Sequence, residues 1–310
     1  MRCFKRKHLL GLKDLKKEEI EEILQTAKEF KEILKRPIKK TPALRGKTVA
    51  NLFFEPSTRT RISFELAAKF LSADVVNFSA QSSSLKKGES ILDTLFNIEA
   101  LGADIVVIRD SNSGTPHFLS KYSKATIINA GDGINEHPTQ ALLDMYTIKE
   151  RKGTLEGLNV LIIGDILHSR VARSNIFGLK KFGCKITLCG PPTLLPESFK
   201  ELDVQISYNL DEVLKDKDVI IMLRMQFERQ KAVFVPSLRE YRQLYSLNKY
   251  RYKLIKKDTL ILHPGPVNWD TEIHSELKER LHSLILEQVK NGLAVRMALF
   301  YLLKENESSN

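Results

Sequence analysis

From residue 48 onward, short apolar runs alternate with stretches of helical periodicity, and that alternation restricts this chain more than any other feature. The runs lie at 48–54, 74–78, 104–108, 126–129, 159–163, 185–189, 218–222 and 259–262. Helical patterns fill most of the intervals, as at 58–71, 90–101, 138–151 and 169–182, and an amphipathic helix over 18–35 precedes them all. Strand–helix alternation predicts an α/β fold with parallel sheets covered by helices. Eight strands can close into one barrel, but the unequal segments favour two open parallel-sheet domains with helices on both faces. The length of 310 residues fits two domains of about 150 each. The stretch RKGTLEGLN (151–159) reads as the joint, so the expected division is 1–150 and 151–283. A last helix, centred on 284–304, carries Leu284, Ile285, Val289, Leu293, Met297 and Phe300 on or near one face. The segment 284–310 is expected to pack back on the first domain.

The junction between the first strand and the following helix reads EPSTRTRISFE (55–65). If the strand ends near Phe54 and the helix begins after Ser57, Ser57 is the N-cap and Thr58, Arg59 and Thr60 form the first turn. Their N–H groups lack intrahelical partners, and the helix dipole is positive there. The hydroxyls add donors, and Arg59 adds a fork that matches phosphate oxygens. This is the composition of an anion site at a helix N-terminus. It is not a Walker loop, because G-x-x-x-x-G-K-[ST] is absent. A well-capped helix with surface arginines accounts for Ser57 alone, but not for donors at every position from 57 to 61.

Charge narrows the classes further. The formal net charge is +11. Yet the lysines are interleaved with glutamates, as in KKEEIEEILQTAKEFKEILKR, with no basic tail, no RNP-type aromatic motif and no zinc-finger spacing. A solvated surface that attracts small anions is the better reading, and no nucleic-acid partner is expected. No apolar run approaches the ~20 residues of a bilayer span, so no membrane association is expected. The opening MRCFKRKHLLGLKDL has no long apolar stretch or small-residue cleavage site, and the chain is expected to be cytoplasmic. Cys3, Cys184 and Cys189 are odd in number and contain no C-x-x-C, which argues against a disulfide framework or structural zinc.

The segment Phe53–Phe54–Glu55–Pro56–STRTRISFE resembles the signature F-x-E-x-S-T-R-T-R-x-S-F-E of the carbamoyltransferases. Other matches come in family order. SLKKGE (84–89) resembles a mobile serine–lysine loop, Arg109 ends the strand IVVIR, and NAGDGINEHPTQALLD (129–144) resembles the His–Pro–x–Gln block. LRMQFER (223–229) and LHPGPVN (262–268) resemble the marks of the branch that uses aspartate. The resemblance covers essentially the whole chain. It implies that residues 1–150 bind carbamoyl phosphate, that 151–283 bind L-aspartate, and that the carbamoyl group passes to the amino group of aspartate without metal or cofactor.

By the same resemblance, Ser57, Thr58, Arg59, Thr60, Arg109 and a serine of the mobile loop, Ser84 or Ser83, hold the phosphate. Thr60, Arg109 and His137 face the carbonyl oxygen. Gln140, with the carbonyls of Gly265 and Pro266, orients the carbamoyl NH2. Lys87, Arg170, Arg224 and Gln226 take the carboxylates of aspartate. The family further implies a homotrimer with shared active sites, in which Lys87 serves a neighbouring subunit. A regulatory chain or dihydroorotase is a possible partner.

Each residue also has an ordinary structural reading. His137 before Pro138 suits a helix cap, Arg109 can pair with Asp110, Arg170 can be an exposed helix residue, and Lys86 and Lys87 can be a solvated loop. Arg224 resists such a reading because it directly follows the apolar run VIIML, at the strand end where ligands bind in open sheets. Three rival functions stand beside the main one. Ornithine carbamoyltransferases share STRTR but typically carry H-C-L-P where this chain has His263–Pro264–Gly265–Pro266, and they lack the R-x-Q pair. A dinucleotide-binding oxidoreductase is suggested by GDILHSR after 159–163, but G-x-G-x-x-G is absent. A basic RNA-binding protein is the third.

Overall fold

The computed structural model describes residues 3–79, 89–226 and 234–307. The chain divides into two compact units, Met1–Tyr146 with Lys290–Asn310, and Thr147–Val289. The divisions fall within two helices, Pro138–Lys152 and Lys278–Glu307.

The first unit begins with α1 (Lys17–Leu34), whose Ile20, Ile23, Leu24, Ala27 and Phe30 are buried along one stripe. Then come β1 (Thr48–Phe53), α2 (Thr58–Phe70), β2 (Asp74–Ser79), α3 (Ile91–Ala100), β3 (Ile105–Asp110), α4 (Thr115–Ser120), β4 (Thr126–Asp132) and the start of α5 (Pro138–Lys152). The four strands form a parallel sheet in the order β2-β1-β3-β4. Strands covered on both faces read as unbroken apolar runs rather than alternating ones. Val49, Ala50, Leu52 and Phe53 of β1 and Ile105–Ile108 of β3 are accordingly all buried. The N-terminal segment runs beside β4. Leu9 donates to Ile127 O (2.9 Å) and accepts from Asn129 N (2.8 Å).

The second unit contains β5 (Asn159–Ile163), α6 (Arg170–Lys180), β6 (Lys185–Cys189), β7 (Gln205–Ser207), α7 (Leu210–Val213), β8 (Val219–Met222), α8 (Leu238–Tyr245), α9 (Lys249–Leu254) and β9 (Leu260–Leu262). Its sheet is also parallel, in the order β7-β6-β5-β8-β9. Leu161, Ile163, Ile220, Met222, Tyr241, Tyr245, Leu247 and Ile273 pack in one core. Gly164, directly after β5, has φ +127°, and a Cβ there would lie 3.1 Å from the carbonyl oxygen of Leu223. Glycine lets the ends of β5 and β8 approach this closely.

The last helix, α10 (Lys278–Glu307), starts six residues before the expected 284. Its Leu281 and Ile285 belong to the core of the second unit. From Ala294 to Phe300, and again at Leu302 and Leu303, it is buried in the first unit, where Phe300 meets Phe64 edge to face at 5.8 Å. Cys3, Cys184 and Cys189 form no disulfide, and burial pushes the thiols of Cys184 and Cys189 up to about 11 and about 12.

Candidate active site

In the first unit, β1, β3 and β4 are neighbours and run in the same direction, so the segments leaving their C-terminal ends gather along one sheet edge. Ser57 is the N-cap residue of α2, with an extended φ of −162°, and its carbonyl accepts from Arg61 N (3.2 Å). Its side chain caps no N–H of the helix. The hydroxyl is therefore not spent on the usual N-cap bond. Thr58 and Arg59 are exposed, and Thr60 is half-buried. β1 pairs with β3 through Phe53 and Arg109, and Phe54 N donates to Arg109 O (2.8 Å).

Arg109 pairs with Glu55. Its Nε lies 2.7 Å from Oε1 of Glu55, and its Nη1 donates to Ala130 O (3.1 Å) and lies 3.4 Å from Nε2 of His137. Asp110 instead holds the following turn, accepting from Asn112 N (3.1 Å) and Thr115 Oγ1 (2.8 Å). Glu55 is the residue that sequence reasoning passed over. It stands inside the quoted signature, but nothing local links it to position 109.

His137 ends the loop before α5 and is buried, and Pro138 opens the helix, a position that requires no N–H donor. Gln140 is also buried and donates through Nε2 to Asp144 Oδ1 (3.0 Å), which orients its amide along the helix. The loop before His137 is braced from the N-terminus. Glu136 accepts from Leu12 N (2.8 Å) and Lys13 N (3.3 Å), while Asp132 accepts from Glu136 N (3.1 Å) and Gly114 N (2.7 Å). Ser84 and Lys87, with Ser83, Lys86 and Gly88, lie outside the described residues.

In the second unit, the neighbouring strands β5, β8 and β9 bring the remaining candidates to one C-terminal edge. Arg170 opens α6 behind the N-cap Ser169, whose hydroxyl accepts from Ala172 N (3.1 Å). Far from being an exposed helix residue, Arg170 is 1% exposed. Arg224 comes after β8 and is half-buried. Gln226 donates through its backbone N–H to Asp165 Oδ2 (3.3 Å) and through Nε2 to Arg224 O (3.2 Å). Asp165 also takes Nδ1 of His168 (2.8 Å). After β9, Gly265 has φ +64°, a left-handed backbone that favours glycine, and its N–H reaches Nδ1 of His263 (2.8 Å). Pro266 is the next residue.

The two edges differ in chemistry. One offers a donor-rich helix N-terminus beside an Arg–His contact; the other offers two arginines and a glutamine with backbone carbonyls nearby. Both suit anions. Among the described residues, no cluster of His, Cys, Asp and Glu is arranged to hold a metal ion, and no helix is long and apolar enough to cross a membrane.

Two family models match the chain. Residues 7–150 match the carbamoyl-P binding domain of aspartate/ornithine carbamoyltransferase, and residues 156–303 match its Asp/Orn binding domain. Among curated relatives, an aspartate carbamoyltransferase catalytic subunit of Syntrophus aciditrophicus is 56% identical over 97% of this chain and 98% of its own. One of Syntrophomonas wolfei is 57% identical over 96% of each. Among solved structures, the catalytic subunit of M. jannaschii aspartate transcarbamoylase superposes with a TM-score of 0.85 at 36% identity, covering 98% of this chain and 100% of the other. Aspartate transcarbamoylase from Trypanosoma cruzi, in complex with carbamoyl aspartate and phosphate, gives a TM-score of 0.87 at 27% identity over 95% of each chain. With both halves matched and relatives this similar over nearly their full length, the chain belongs to the aspartate/ornithine carbamoyltransferase family.

Proposed function

We propose that this protein is an aspartate carbamoyltransferase, transferring the carbamoyl group of carbamoyl phosphate to the amino group of L-aspartate to give N-carbamoyl-L-aspartate and phosphate. The observation that carries the choice of acceptor is Arg224 and Gln226 at the end of β8 with Arg170 buried at the start of α6. A dicarboxylate needs more than one cationic clamp; ornithine, with one carboxylate and a distal ammonium, does not. The relatives named above carry the aspartate activity in their names. The product points to a place early in pyrimidine synthesis.

The chemistry is acyl transfer. The amine of aspartate attacks the carbonyl carbon, a C–N bond forms, and the bond from carbon to the phosphate oxygen breaks. Ser57, Thr58, Arg59, Thr60 and Arg109, with Ser84, hold the phosphate. Thr60, Arg109 and His137 stabilise the oxygen as it gains charge. The contact of Arg109 with His137, at 3.4 Å, supports assigning both to one oxygen. Gln140 and the carbonyls of Gly265 and Pro266 orient the carbamoyl NH2, and Lys87, Arg170, Arg224 and Gln226 bind aspartate. The departing phosphate takes the amine proton, since no side chain is an obvious general base. Much of the rate then comes from positioning two anions side by side.

A colorimetric assay of ureido product, with aspartate and then ornithine as acceptor, tests this reading. Product with aspartate alone is expected; product with ornithine alone overturns it. We further propose a cytoplasmic homotrimer whose sites are shared, with Lys87 of one subunit serving its neighbour. Lys87→Ala and His137→Ala trimers, each nearly inactive, then regain activity when refolded together. No recovery in mass-confirmed mixed trimers places Lys87 in its own subunit's site. A regulatory chain or dihydroorotase remains the partner to seek by co-purification.

A further inference from the structure

Glu272 is 0% exposed, yet three N–H donors converge on it. Oε1 accepts from Met225 N (2.9 Å) and from Asn268 Nδ2 (2.9 Å), and Oε2 accepts from Asn268 N (2.9 Å). Its own N–H goes to Asn268 O (3.3 Å). Met225 lies between Arg224 and Gln226, and the next N–H, that of Gln226, is held by Asp165 Oδ2 (3.3 Å). Two buried carboxylates thus take successive N–H groups of the segment that carries the candidate aspartate ligands.

We infer that Glu272 is a positioning residue for aspartate, its ionised carboxylate fixing the backbone at Met225 and with it the presentation of Arg224 and Gln226. The inference rests on the aspartate-binding role proposed for those two residues. The ionised form is the one that fits the geometry. A proton on the carboxyl needs an acceptor, and the three groups bonded to it are all N–H donors, so a proton on either oxygen competes with at least one of these bonds.

Burial pushes the Glu272 carboxyl up to about 7, against the opposing pull of the N–H donors. On α8, the phenol of Tyr241 is fully buried and is raised well above its ordinary value, by burial first and then by the charges of Glu272 and Asp165. Asp270, on the same segment, turns away to Ser275 N (2.9 Å) and His274 (3.8 Å). A carboxyl raised by burial destabilises the fold as pH rises from the usual carboxylate range through 7, while the aspartate segment is set only once the charge is present. Activity and stability therefore move in opposite directions across this window.

The experiment measures KM for each substrate and the pH profile of kcat/KM for aspartate, from about pH 5.5 to 9, on the full chain. In the parent enzyme kcat/KM for aspartate is expected to rise through neutrality. Glu272→Gln is expected to flatten that rise and to increase KM for aspartate about tenfold, with KM for carbamoyl phosphate within about twofold. Asn268→Ala keeps the carboxylate but removes one donor to it, so the rise is expected to move to higher pH. A profile unmoved in both variants, or equal increases in both KM values, overturns the inference. Should Glu272→Gln fail to fold, Asn268→Ala alone decides. Absence of ureido product from the parent enzyme is a failure of the proposed function instead.

Discussion

The carboxylate of Glu55 lies 2.7 Å from Nε of Arg109, joining the loop that enters α2 to the end of β3. Both side chains are largely shielded, at 12% and 15% exposure for Arg109 and Glu55. Removing one partner of such a pair leaves the other poorly compensated. Glu55→Gln is expected to let the guanidinium leave its place beside His137. The predicted loss is about 2 kcal/mol, roughly thirtyfold, in kcat/KM for carbamoyl phosphate. A change below about twofold means the ion pair does not position Arg109.

Arg59 stands exposed on the first turn of α2. Arg59→Ala is expected to reduce kcat by more than a hundredfold, about 3 kcal/mol or more, with an unchanged melting temperature. Near-normal turnover removes Arg59 from the phosphate site.

Arg224→Ala separates the two substrates. The half-buried guanidinium lies just after β8, beside Gln226. Its loss is expected to raise KM for aspartate about a hundredfold and to leave KM for carbamoyl phosphate within about threefold. The opposite pattern transfers Arg224 to the phosphate half of the reaction.

Gly11 tests the brace behind His137. A Cβ at this position would clash with Oε1 of Glu136, the oxygen that accepts from Lys13 N at 3.3 Å. Gly11→Ala forces the carboxylate off the N–H groups of Leu12 and Lys13. A destabilisation of about 2 kcal/mol is expected, read as a lower urea midpoint, together with a fall in kcat. Parent-like stability means that the loop repacks without loss.

His8 sets one acid-side limit on stability. Its Nδ1 accepts from Ile127 N (3.0 Å), and burial first, then Lys7, lowers its pKa to about 4. The neutral form is the native one. Its contribution is complete above the ordinary histidine value of about 6.5 and is lost as pH falls from there through 4. Between pH 7 and 5 the parent protein is expected to lose about 1–2 kcal/mol more than His8→Gln, by urea unfolding. Equal losses refute the assignment.

The strands of both sheets were legible because parallel strands covered on each face must be apolar throughout, and TVANLF, IVVIRD, NVLII and VIIM are mostly that. Short strand β7 was not: QIS is three residues long with Gln205 exposed, and so leaves no apolar run. Helices α8 (LREYRQLY) and α9 (KYRYKL) went unread because they are short, and the buried face of α8 rests on two tyrosines, Tyr241 and Tyr245, rather than on aliphatic residues. The first six residues of α10, KERLHS, carry one apolar position, Leu281, and its start was therefore placed late.

The sequence by itself determined the donor-rich start of α2, because a helix N-terminus with Ser57, Thr58, Arg59 and Thr60 depends only on local geometry. It also determined the start of α5 at Pro138, which needs only the missing N–H of proline. Tertiary structure alone decided the partners. Arg109 meets Glu55 from the loop that enters α2, Arg170 is buried rather than exposed, and Glu272 reaches back to Met225. The physical reason is that a charge chooses its partner by distance and burial once strands distant in sequence lie side by side, and neither quantity is written in the spacing of residues along the chain.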